Sequence, residues 1–106
     1  MTAMIYCPFP DRESARQSSR VMLEEKLIAC ANILGEVEAL FVWKGECGEA
    51  REVGVLFKTD QTLLEAACER LSALHPYDTP AILGWDCQAA PRATRDWLAG
   101  INTGEP

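Results

Sequence analysis

ANILGEVEALFVWKGECGEAREVGVLFKT, residues 31–59, is the stretch that decides the fold. Between Ala31 and Trp43, Val37, Ala39, Phe41 and Trp43 alternate with Glu36, Glu38, Leu40 and Val42. A repeat of two is that of a strand, whose successive side chains point to opposite faces. Lys44-Gly45-Glu46-Cys47-Gly48-Glu49 carries two glycines and predicts a turn. Glu52 to Thr59 is strand-like again, with Val53, Val55 and Phe57 on one side and Leu56 on the other. The two segments form a hairpin.

Upstream, Ala3-Met4-Ile5-Tyr6-Cys7 is a short apolar run that Pro8 and Pro10 stop, which predicts a buried strand. Asp11 stands where an N-cap belongs. Ala15, Ser19, Met22, Leu23 and Leu27 then recur at helical spacing, with charged residues on the other side, so a helix is expected to about Leu27. Downstream, Thr62 and Glu65 have the spacing of a capping box, and Leu64, Ala67, Cys68, Leu71 and Leu74 continue a second helix. His75-Pro76-Tyr77-Asp78-Thr79-Pro80 breaks it. Ala81 to Trp85 is a last apolar strand, and Pro91 opens a short helix carrying Trp97, Leu98 and Ile101.

The order β-α-β-β-α-β plus a terminal helix predicts an α+β, ferredoxin-like βαββαβ sandwich with an extended hairpin and a short C-terminal helix. Right-handed crossovers give the sheet order four, one, three, two. The 106 residues fit one domain, 1–106, with 102–106 read as a flexible polar tail. The second strand is the anomaly. From Ala31 to Trp43 it would run about 40 Å at roughly 3.3 Å per residue, against about 33 Å for a whole domain of this size. Either the hairpin overhangs its own core and presents Leu40 to Trp43 to another copy, or a bend near Gly35 splits the strand in two.

A net charge of −6 repels phosphate backbones and argues against nucleic acid. The five cysteines, Cys7, Cys30, Cys47, Cys68 and Cys87, are odd in number and none are spaced as C-x-x-C. That spacing disfavours a disulfide framework or a zinc ribbon and fits a reducing cytoplasm. No segment approaches the roughly 20 apolar residues that span a bilayer, and no secretory signal pattern opens the chain.

The expected topology gathers Cys7, Trp43, Glu52, His75 and Tyr77 at one end of the domain. His75, the sole histidine, is either a metal ligand or a cap on the second helix. Cys7 is either a thiolate ligand or a small buried hydrophobe. Glu52 either faces a ligand or is solvated. Trp43 and Tyr77 either line a pocket or pack an interface. Two ligands cannot fill a zinc shell, so no obligatory cofactor is expected. No Ser/His/Asp set, Walker loop or G-x-G-x-x-G occurs, which reads as a non-enzyme.

Pro10-Asp11, Glu25-Lys26-Leu27, Ala29-Cys30-Ala31-Asn32, Phe41-Val42-Trp43-Lys44-Gly45, Glu52-Val53, Lys58-Thr59, His75-Pro76-Tyr77-Asp78-Thr79-Pro80 and Trp97-Leu98 together resemble the CutA family of divalent-cation tolerance proteins, over about residues 3–101. The resemblance implies a ferredoxin-like homotrimer held by hairpin pairing, and a link to copper and other divalent cations. It implies Cys7 and His75 as metal-site residues. Lys44 where the family often has Glu, Gly35-Glu36 in place of a Pro-Gly, and Cys47 depart from the pattern. Two other readings stand beside it: a signalling trimer akin to the PII regulators, with metabolite sites between subunits, and a non-catalytic scaffold.

Overall fold

The computed structural model describes residues 1–101. Four strands, β1 (Thr2–Phe9), β2 (Cys30–Trp43), β3 (Glu46–Asp60) and β4 (Leu83–Asp86), form one antiparallel sheet in the order β2-β3-β1-β4. This is the order that right-handed crossovers require. Three helices complete the chain: α1 (Arg12–Glu24), α2 (Leu64–Leu74) and α3 (Arg92–Ala99). The tail expected at 102–106 lies outside the described residues.

The core lies between the sheet and α1 and α2. Ile5, Cys7 and Phe9 from β1 and Val55 and Phe57 from β3 meet Ala15 and Met22 of α1 and Ala67 and Leu71 of α2. Leu98 of α3 is buried as well, apart from that group.

Several boundaries differ from the sequence expectation, each for a local reason. The first strand runs through Pro8 to Phe9. β4 pairs only with residues 3–6 of β1, so one side of β1 carries no ladder beyond Tyr6 and a residue without an N–H fits there. α1 stops at Glu24 because Lys26 turns left-handed at φ 58°. Leu27 N–H then reaches Met22 O at 3.0 Å and Lys26 N–H reaches Leu23 O at 3.0 Å, a Schellman ending built without glycine. Asp11 caps α1 as expected, accepting from Ser14 N at 2.7 Å. The capping box at Thr62 does not form. A single 3-10 turn, Gln61–Leu63, precedes α2, and Asp60 accepts from both Thr62 N (3.1 Å) and Thr62 Oγ1 (2.6 Å).

The hairpin turn is tighter than the two-glycine segment suggests. Trp43 pairs with Glu46, leaving Lys44 and Gly45 as the whole turn, at φ 51° and 80°. Two consecutive positive φ values give the twist that matches paired strands. Cys47, Gly48 and Glu49 therefore belong to β3, opposite Val42, Phe41 and Leu40.

β2 is one strand, with a bulge instead of a break. Ile33 pairs with Val55 and Gly35 with Gly54, so Leu34 has no partner and Gly35 sits at φ 99°. Directly paired residues share a face. Below the bulge, Ala31 and Ile33 lie with Phe57 and Val55, toward α1 and α2. Above it, Val37, Ala39 and Phe41 lie with Glu52, Ala50 and Gly48, on the opposite face. A Cβ placed on Gly54 would come within 2.7 Å of the Tyr6 hydroxyl and 3.3 Å of Val37, so Gly54, Tyr6 and Val37 share that face. The bulge moves the apolar row of β2 from one side of the sheet to the other. The molecule measures 45 × 26 × 22 Å. Toward the tip Leu40 is 70% exposed, Val42 69% and Trp43 54%.

Candidate functional site

The segment after α2 builds the site. Pro76 ends the helix, and His75 takes an extended conformation at its C-cap. His75 N–H bonds Leu71 O at 3.0 Å. Its ring does not cap α2. Nε2 lies 2.7 Å from the Pro8 carbonyl, and Nδ1 accepts from Tyr77 N–H at 3.1 Å. A carbonyl only accepts and an amide N–H only donates, so the ring is neutral with its proton on Nε2. The imidazole stacks on Phe9 at 4.5 Å and abuts Tyr77 at 4.8 Å. One side chain thus joins β1 to the start of the 76–82 connection.

Held in this way, Tyr77 reaches β3. Its O–H donates to Glu52 Oε2 at 2.8 Å. Glu52 is only 9% exposed. Burial, then the bond to Glu52 and its charge, push the Tyr77 hydroxyl up to about 12, so it stays a donor. Above this pair opens a cleft of about 610 Å³, lined by Tyr6, Val37, Phe41, Trp43, Glu52 and Tyr77 among others. That volume is in the range of small-molecule sites. The walls come from the outer half of β2, where the bulge has turned the apolar row toward this face.

Of the five residues singled out from sequence, Trp43, Glu52 and Tyr77 meet in this cleft. His75 lies behind Tyr77. Cys7 is fully buried in the core. Desolvation first, then the charges of Glu52 and Cys68, raise its thiol to about 12. It therefore keeps its proton in the metal-free fold, and a metal at Cys7 would have to displace that proton. Both His75 nitrogens are already engaged. Among the described residues, no group of three or more His, Cys, Asp or Glu side chains could hold a metal ion.

Sequence reasoning missed Tyr6 and Val37 as cleft residues. Tyr6 had a legible signal, since it alternates with the core residues Ile5 and Cys7. Val37 had none, because the alternation runs unbroken across the bulge.

The comparisons agree with this architecture. The model of the CutA1 divalent ion tolerance protein family matches residues 3–100. The divalent-cation tolerance protein CutA of Thermococcus kodakarensis is 42% identical over 98 residues, 92% of this chain and 93% of its own. The crystal structure of CutA1 from Pyrococcus horikoshii is 39% identical and superposes with a TM-score of 0.86, over 93% of this chain and 96% of that one. A periplasmic divalent cation tolerance protein CutA from Archaeoglobus fulgidus, 29% identical, gives 0.89 over 95% and 98%. By its order of strands and by its sequence from end to end of the matched region, this chain belongs to the CutA1 divalent ion tolerance protein family.

Proposed function

We propose that the chain acts as a cytoplasmic homotrimeric binding module in divalent-cation tolerance, with a ligand cleft closed by a neighbouring copy. The carrying observation is the outer half of the β2–β3 hairpin. It projects with Leu40, Val42 and Trp43 more than half exposed, beside the cleft that its own row lines. Apolar strand surface of this kind favours pairing with another copy. Five free cysteines favour a reducing compartment. A binding role, not catalysis, is supported by the sole histidine, whose ring nitrogens are both spent on structure.

Light scattering tests the assembly: the expected mass is about three times 11.7 kDa, and a monomer overturns the reading. Copper bound at Cys7 and His75 would have to displace the Pro8 and Tyr77 bonds and a thiol proton. Copper titration of His75→Ala tests that route. Weakened copper binding supports it, and unchanged binding removes His75 from the metal's path.

A further inference from the structure

We propose that the cleft along the outer half of the hairpin is a site for a small organic ammonium ion. This rests on the cleft reading above and names its ligand class. The starting point is Glu52, a carboxylate 9% exposed that makes no ion pair among the described residues. Oε2 accepts one hydrogen bond, from Tyr77; the other oxygen has none among the described residues. That oxygen is not sealed from solvent, and a carboxylate so little exposed and without an ion pair favours a positive charge delivered beside it.

The walls suit the same charge. Tyr6, Phe41, Trp43 and Tyr77 all line the space that holds Glu52. Aromatic faces carry negative potential and attract ammonium groups, most strongly at tryptophan. The chain itself supplies an instance, with Lys44 Nζ standing 5.8 Å from the Trp43 ring centroid. The net charge of −6 draws cations toward the surface. A bare divalent ion is a poorer fit, because calcium takes six to eight oxygens and magnesium a full octahedron. The cleft offers few oxygens and about 610 Å³ of largely apolar-walled space. An ammonium with an apolar body places its charge at Glu52 and its carbon groups against the rings.

Calorimetric titration of the assembled protein with benzyltrimethylammonium, benzyl alcohol and benzoate tests this. The cation is expected to bind saturably, at least about tenfold tighter than the alcohol, with benzoate weaker still. Glu52→Gln, which retains the Tyr77 partner, should lose at least about tenfold in affinity for the cation and little for the alcohol. Trp43→Leu, with its assembly verified first by sedimentation because Trp43 also lies on the proposed contact surface, should weaken the cation too and decides the matter if the Gln variant does not fold. Equal binding of all three probes overturns the ammonium assignment and leaves the cleft reading standing. Binding of none of them overturns the cleft reading itself. Cation binding that survives both substitutions places the ion elsewhere and overturns the proposal.

Discussion

Ala31 faces Phe57 at the base of the hairpin, and Phe41 faces Gly48 toward its tip. The two pairs belong to one pair of strands, on either side of the bulge, and live in different surroundings. Phe57 is fully buried, edge-on to Phe9 at 6.4 Å between centroids. Phe41 is 45% exposed, its ring lying over the bare backbone of Gly48, where a Cβ would sit 2.6 Å away. The backbone hydrogen bonding is alike in both halves; what differs is the cover. Ladder bonds exchange water for protein with a modest net gain, whereas burial of apolar area drives folding. The base therefore holds the domain together, and the tip is available for association.

The largest test of that division is Phe57→Ala. A buried aromatic cut to a methyl group should cost about 3–5 kcal/mol in urea unfolding. A loss below about 1 kcal/mol would mean that the base is no better packed than the tip.

An alkaline titration of stability probes the base next. Cys7 is held protonated to about 12 in the fold, against 9.0 for a free thiol, by desolvation first. Its contribution is complete below pH 9. Between 9 and about 12 the unfolded chain gives up the proton while the folded chain keeps it, so stability falls as pH rises, by about 1.4 kcal/mol per pH unit. Tyr77, raised in the same direction, steepens the upper end of that window. Urea midpoints across the range should show the decline, and Cys7→Ala should flatten it. An unchanged slope in that variant would place water at the base.

The smallest folding effect is expected at the tip. Leu40→Ser, at a side chain 70% exposed, should leave the stability of dilute single chains within about 0.5 kcal/mol. The same variant should lower the mass seen by sedimentation at higher concentration. A variant that unfolds as readily as Phe57→Ala would erase the distinction between the two halves.

How much of this was legible beforehand follows from the same two halves. Period-two alternation reveals strands, and helical spacing with Asp11 reveals α1, because local patterning and packing agree there. The topology followed from element order. The bulge was not legible. Ala31, Ile33, Val37, Ala39 and Phe41 share one parity in the sequence and count as one row, yet Leu34 drops out of the ladder and the row changes sides. Gly35 hinted at irregularity without saying which kind. The Lys26 ending of α1 was equally hidden, since a left-handed lysine leaves no compositional mark. At the site, side-chain chemistry named Glu52, Tyr77 and His75. It could not tell that His75 spends both nitrogens on the backbone, because its partners, Pro8 O and Tyr77 N, carry no residue-type signature.

Gly54 gives the architecture a stopper waiting to be fitted. It is the empty seat between Tyr6 and Val37, with a Cβ position 2.7 Å from the tyrosine hydroxyl. One methyl there would collide with the phenol, which lines the cleft, and make it shift, without touching Leu40, Val42 or Trp43. The proposed ligand and the proposed assembly could then be separated in one molecule: a Gly54→Ala chain is expected to sediment as its parent does while losing affinity for the ammonium probe.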